Sequence, residues 1–336
     1  MTNVIGSGIL NVTTAEVLMK QGIDNSTQID TTGMTLGGSG ADWVDSYTSK
    51  RGVWILKNVT VNKTGNISLK GVSFVNSNIT AGQDLTIDNV NRSLTVQSSN
   101  LTATSGNISL NGNGTGTGNN GVTLANASLT ALAGNINVTG VGDSGSYLAE
   151  TGNGIMLTGN TTFKSTENTL NGSYTGRTGT TAGGVVVYGN LNNRLSTNVS
   201  FAGNTTINAT STGRSGMVFS GVFSPVFVIG FSNGTAVINA KTTDVKDVTG
   251  GGVFIFQMVG TPRTVEVQVS NATLNINAEA KRVNGFSAYS DTDGPDDLAR
   301  KTGYKFTGEG NVNIHSVSDS GDGLDLRIVD NTGLTG

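Results

Sequence analysis

The chain repeats itself. Residues 98–110 read SSNLTATSGNISL, with close copies on either side: SNITAGQDLTI upstream and ASLTALAGNINV downstream. In these copies Ile79, Leu101 and Leu129 hold one position, 22 and then 28 residues apart. Further on, a Gly followed by an apolar strand recurs at Gly121-Val122, Gly154-Ile155, Gly184-Val185, Gly216-Met217, Gly252-Val253, Gly285-Phe286 and Gly323-Leu324, in steps of 30 to 38 residues. A second series, Ile207-Asn208-Ala209, Ile238-Asn239-Ala240, Ile276-Asn277-Ala278 and Ile314-His315-Ser316, runs 9 to 14 residues ahead of it. Two strand signals at a near-fixed offset inside a repeating unit mark each unit as one turn of a coil. A single coil cannot bury its inward face alone, so stacking must supply the core.

Apolar and polar residues alternate in runs of four to six, the period of half-buried strands. The expected fold is therefore all-β, a right-handed parallel β-helix (solenoid). A β-sandwich shares the frequent turn signals but not the long-period self-similarity. Ten to twelve coils at ~4.8 Å each predict a rod of about 50–60 Å. One solenoid over residues 1–336 is expected, with shorter coils in 1–140 and longer coils in 141–336. The extra residues of the second half are expected to leave the rod as loops, and that half is the candidate binding region. Corners should take Gly, Asn, Ser and Asp for φ > 0 or side-chain capping, and Asn at equivalent corners should ladder along the axis. Helical periodicity is convincing once, from Thr14 to Gly22. Trp43 and Trp54 flank a polar loop and are expected to pack over a coil. The Phe219, Phe223, Phe227, Phe231 run steps by four, but the intervening valines favour strands, and some of these rings must stack in the core.

Composition removes several function classes. The net charge is −3, so no bulk field draws the chain to nucleic acid. No apolar run reaches the ~18–20 residues of a spanning helix; residues 217–231 come closest and are broken by Pro225, Gly221 and Gly230. Cys is absent, which excludes disulfides and thiol chemistry. Only 3 prolines accompany 49 glycines, which suits strand ladders better than a disordered linker. No signal peptide stands at Met1, so the chain reads as cytoplasmic or as an excised internal fragment. No membrane insertion, no cofactor and a monomeric state are expected.

Nineteen Asn-x-Ser/Thr sequons occur. Fifteen stand as candidate N-glycosylation sites: Asn58, Asn62, Asn66, Asn78, Asn100, Asn107, Asn126, Asn137, Asn160, Asn171, Asn198, Asn204, Asn208, Asn233 and Asn271. Asn11, Asn25, Asn91 and Asn113 complete the set. A chain rich in Asn, Ser and Thr also makes sequons by chance. The densest acidic cluster, Asp291, Asp293, Asp296 and Asp297, offers oxygen ligands to Ca²⁺. Its spacing is not that of an EF-hand, and a solvated turn is the preferred reading, so no metal is expected. Asp319, Asp322 and Asp325 in a Gly-Ser turn read the same way. His315, the single histidine, reads as a surface residue rather than a general base.

Residues 9–29, ILNVTTAEVLMKQGIDNSTQI, together with the NITA…GNISL repeats, resemble filamentous-haemagglutinin-like exoproteins of two-partner secretion. Within them, the sequon load and lack of Cys look most like the high-molecular-weight (HMW) adhesins of Haemophilus. The resemblance implies a secreted, cell-surface adhesin, exported through an outer-membrane transporter and modified by a cytoplasmic Asn-glycosyltransferase. It implies binding to host-cell glycans or glycoproteins, including sialylated ones. The amino-terminal secretion domain of that family is not found in this sequence. A basic stripe fits a carboxylate-bearing sugar, because Arg pairs with carboxylates bidentately: Arg177 and Arg214 in a shared T-G-R-[ST]-G pattern, with Arg282 and Lys246; scattered solubilising charge is the preferred reading of the same residues. Tyr174 and Tyr188 are the sugar-stacking candidates, with core or rim packing the preferred reading. No enzymatic activity is expected. The alternatives are a β-helix polysaccharide lyase or hydrolase, which would need clustered carboxylates, and a structural spacer of a filamentous exoprotein.

Overall fold

The computed structural model describes residues 3–5, 8–10, 28–47, 53–116, 118–143, 151–176, 182–189, 196–221, 226–243, 250–257, 264–290 and 303–326. Over these the chain is a parallel β-helix: every strand pairing is parallel. Three faces alternate along the chain. Face I stacks twelve strands from Asn3–Ile5 to Leu324–Leu326. Face II begins as four short strands, Thr60–Lys63, Asn78–Ala81, Asn100–Ala103 and Ser128–Ala131. Face III begins as Trp43–Ser46, Ile67–Lys70, Leu85–Asn89, Ile108–Asn113 and Ile136–Gly142.

From Asn160 on, faces II and III merge. The strand Asn160–Tyr174 pairs with Ser128–Ala131 at its start and with Ile136–Gly142 at its end. Three more long strands follow, Thr197–Ser211, Phe227–Thr242 and Thr264–Ala280. The old corner survives as an irregularity between Lys164 and Glu167. Asn168 is buried there, and its Nδ2 donates to the carbonyl oxygen of Ala202 (3.0 Å), so the bent backbone keeps its polar groups paired. The merger adds no length, since residues 128–142 run beside 162–174. The extra residues of later coils fall between strands, at the two ends of face I: 90–93 separate faces III and I in one coil, and 143–154 two coils later.

All three series predicted from the sequence are in register. Ile79, Leu101 and Leu129 stack on face II, Val122 through Leu324 on face I, and Ile207, Ile238, Ile276 and Ile314 on face III. Inward residues form one continuous core. Phe163, Phe201 and Phe231 stack within it, with centroids 4.6 and 5.3 Å apart. Phe219 and Phe227 are buried too, while Phe223 lies outside the described residues. Trp43 and Trp54 are core residues rather than a cover over a coil, because both sit on inward rungs against Ile67 and Val72. The Thr14–Gly22 segment lies outside the described residues.

The Gly series has a different cause from the one expected. Gly154, Gly184, Gly216 and Gly252 are not among the residues of positive φ. A Cβ on Gly184 would stand 2.6 Å from the Gly172 carbonyl oxygen and the Thr210 nitrogen. Here face I starts against the end of face III, and only small residues fit: Gly112, Gly140, Gly172, Ala209, Ala240 and Ala278 line the opposite side. Positive φ is found between faces I and II at Asn58, Asn76, Ser98 and Asn126, at Gly71 between faces III and I, and at Asn233 and Asn271 within the merged strands; Asn tolerates the left-handed region. Inside the corner between faces I and II the Ser77 and Ser99 hydroxyls accept the N–H groups of Val59 and Ser77 in the preceding coils. At the N-terminal end, buried Lys63 donates from Nζ to the carbonyls of Gly37, Gly38 and Gly40 at 2.7–3.0 Å.

Candidate functional site

Outward residues on face III form columns along the rod. One column holds Asn171, Asn208, Asn239, Asn277 and His315 on successive coils. Its amides ladder: Asn208 Nδ2 donates to Asn171 Oδ1, Asn239 to Asn208, and Asn277 to Asn239, each at 2.9 Å. An amide nitrogen carries two N–H groups, so each rung keeps one for an outside partner. This ladder lies on strands; corner asparagines pair as expected too, Asn100 Nδ2 donating to Asn78 Oδ1 at 2.7 Å and Asn271 Nδ2 to Asn233 Oδ1 at 3.3 Å. A neighbouring column, two residues on, holds Thr210, Lys241, Glu279 and Val317. Lys241 Nζ meets Glu279 Oε1 at 2.6 Å, with both side chains about half exposed (48% and 58%). Such a pair adds little stability, but it holds two long side chains upright as a wall.

Between the columns runs a trench of about 410 Å³, floored at Ala240 and Ala278 and crossing four coils. Asp319 borders it. It lies in the longer-coil half, the predicted binding region. Asn208 was read only as a glycosylation candidate, and Asn239, Asn277 and the Lys–Glu wall were missed as site residues, yet the signal is in the sequence. The Ile-Asn-Ala series sets an Asn between two inward apolar residues, so that Asn must face out.

The stripe predicted from the sequence is only partly gathered. Arg214 and Arg282 both fall in the connection from face III to face I, two coils apart. Arg214 is half-buried and Arg282 exposed. Neither lines the trench. Arg177 and Lys246 lie outside the described residues, as do Asp291, Asp293, Asp296 and Asp297. Tyr174 (0% exposed) and Tyr188 (3%) are buried, so neither shows a ring face to solvent. His315 is exposed at the end of the Asn column. Among the described residues no group of three His, Cys, Asp or Glu is placed to hold a metal, and no helix is long and apolar enough to cross a membrane.

Seventeen sequon asparagines are described, all but Asn11 and Asn25, and every one is at least partly exposed. The buried asparagines, Asn89, Asn120, Asn153 and Asn168, all stand outside sequons. In a strand, residues i and i+2 share a face, so an outward Asn brings its Ser or Thr outward with it. Some sequon asparagines also have structural work. Asn66 and Asn107 alternate with Asp42 and Asp84 up one corner, each side-chain oxygen accepting the next coil's N–H: Asn66 N to Asp42, Asp84 N to Asn66, Asn107 N to Asp84 and Asn135 N to Asn107.

In comparisons with protein-family models, curated proteins and solved structures, nothing matches this chain.

Proposed function

We propose that the chain is the rod of a secreted, cell-surface bacterial adhesin that binds host-cell glycans and is itself glycosylated on Asn. In this reading it is not an enzyme. The observation that carries it is the trench on face III, an open recess whose walls carry amides and an ion pair above a largely apolar lining. Hydroxyl-rich ligands are held by such convergent donors and acceptors. The accessibility of every described sequon asparagine supports the modification. The partners are those implied by the resemblance to filamentous-haemagglutinin-like exoproteins: an outer-membrane transporter of the two-partner type and a cytoplasmic Asn-glycosyltransferase.

Two measurements test this reading. The purified chain should attach to epithelial cells, and periodate oxidation of the cell-surface sugars should abolish attachment. Co-expression with a sequon-specific Asn-glucosyltransferase should add hexose to the accessible sequons, read by glycopeptide mass spectrometry. Attachment that survives oxidation would sink the glycan reading, and a chain left unmodified would sink the glycoprotein reading. A second reading, a spacer in a filamentous exoprotein, is favoured by the unbroken stacking of twelve strands on face I. It predicts no attachment at all.

A further inference from the structure

We infer that the face III trench binds an uncharged, linear glycan laid lengthwise along the solenoid axis; this rests on the glycan-binding reading above. Three observations carry it. The first is direction. The trench follows the two outward columns from Asn208 and Thr210 to His315 and Val317, across four coils. Its rungs repeat at ~4.8 Å, the spacing of hydrogen-bonded strands, which is close to the advance of an extended pyranose chain per sugar. A glycan lying along the axis therefore meets the same amide once per ring.

The second is chemistry. Asn208, Asn239 and Asn277 each spend one N–H on the ladder and keep the other, with carbonyl lone-pair capacity, for a ligand. A row of donors and acceptors suits hydroxyls, which are both. The third is charge. Lys241 is matched by Glu279 at 2.6 Å, and Asp319 adds a negative group at the rim. Among the described residues that line the trench, no surplus positive charge is left for a sialic acid carboxylate. Arg282 lies outside it, on the connecting edge. The lining residues include no Phe, Tyr or Trp, so hydrogen bonds rather than stacking on a large ring hold the sugar.

The test uses the unmodified full chain and a panel of linear tri- to pentasaccharides, each in sialylated and asialo form. Unmodified protein is needed because Asn208 is a sequon residue, and a sugar on it would enter the trench. Asialo glycans should bind at least as well as their sialylated partners. Thr210→Trp fills the trench from an exposed strand position without touching the core and should weaken binding by about tenfold or more. Asn239→Thr, a second variant that keeps a polar strand-former at the rung, should weaken it by roughly threefold to tenfold. Arg282→Ala should change it by less than about twofold. Circular dichroism checks that each variant folds. Binding that requires the sialic acid and falls with Arg282→Ala would overturn the inference while leaving the adhesin reading intact, as would binding indifferent to both trench variants. Retention of no glycan in the panel would remove both.

Discussion

Between Val61 and Leu129 the inward residue at the centre of face II is aliphatic on every rung: Val61, Ile79, Leu101, Leu129. On the next three rungs it is Phe: Phe163, Phe201, Phe231. The change coincides with the merger of faces II and III. On face I, the strands Leu94–Gln97 and Val122–Ala125 alternate between buried and less buried residues, whereas Gly183–Tyr188 and Ser215–Ser220 are buried on both sides. There Val186, Val218 and Phe254 form a second buried cluster on the outward side. The backbone ladder is common to both halves. What differs is the side chains that fill the coil and the side of the sheet they serve. A strand buried on both sides reads as an unbroken apolar run, as in GGVVVY, rather than as alternation. The comparison also locates the open surface: in the second half the trench is on face III, while the outward side of face I is closed at Val218 and Phe254.

The largest effect should come from Phe201→Ala. Burying Phe typically contributes about 3–5 kcal/mol against Ala, and Leu about 2–5. Phe201 also loses a stacked ring on each side, and each such pair adds about 0.5–1.5 kcal/mol. Phe201→Ala should therefore cost more than Leu101→Ala, with the loss confined to the coils around it, because each repeat contacts only its neighbours. Amide hydrogen exchange, resolved by segment, measures both the size and the spread. Equal costs at the two positions would mean that the phenylalanines are not what fills the merged coil.

The seam between faces III and I gives the next test. Ser93 precedes the inward Leu94 as Gly184 precedes Val185 on the same column in a later coil, yet it carries a side chain. In its coil Asn89 bridges the seam, donating from Nδ2 to the carbonyls of Val72 and Ser93. At Gly184 the backbones approach directly. Gly184→Ala should cost about 1–3 kcal/mol or more by overpacking, and Ser93→Ala no more than about 0.5 kcal/mol. Denaturant midpoints compare the two. A harmless Gly184→Ala would show that the seam can open.

The register of all three columns was legible in the sequence because stacking repeats the same rung. Ile238 and Ile276 announce one another whatever lies between them. The cause of the Gly series was not legible, since a glycine needed for left-handed backbone and one needed for close approach are the same letter. Only the contacts of Gly184 with Gly172 and Thr210 separate the two. Core or rim packing of Tyr174 and Tyr188 was legible, and both are buried, but what closes over Tyr188 was hidden for a similar reason. Tyr188 sits on the outward side of face I, where the earlier strands carry polar residues, and the closure of that side depends on residues distant in the chain. The trench was half legible. The outward Asn could be read from Ile-Asn-Ala, but the wall needed Lys241 to stand beside Glu279, which lies 38 residues away.

The smallest expected effect concerns two tyrosines near opposite ends of the rod. Tyr47 donates its hydroxyl to Asp45 Oδ2 at 2.7 Å. Burial, then that bond and the carboxylate charge, push its titration well above the usual value. The Tyr304 hydroxyl is buried with no hydrogen-bond partner among the described residues. Burial, with Asp325 adding to it, pushes its titration up to about 12. An unfolded tyrosine ionises near ~10. Above that pH the unfolded chain releases the proton while the folded chain keeps it, so the stability tied to each raised group is complete below ~10 and falls as pH rises. For Tyr304 the loss runs between ~10 and about 12; for Tyr47 it continues higher. Tyr304→Phe keeps the ring and removes the unpaired hydroxyl, so it should leave stability at neutral pH unchanged or slightly raised and flatten the alkaline slope of the C-terminal coils. Tyr47→Phe should cost a hydrogen bond at every pH below that window. Phenolate absorbance followed alongside unfolding distinguishes the two, and a Tyr304 that ionises near ~10 in the folded chain would show that its hydroxyl reaches water.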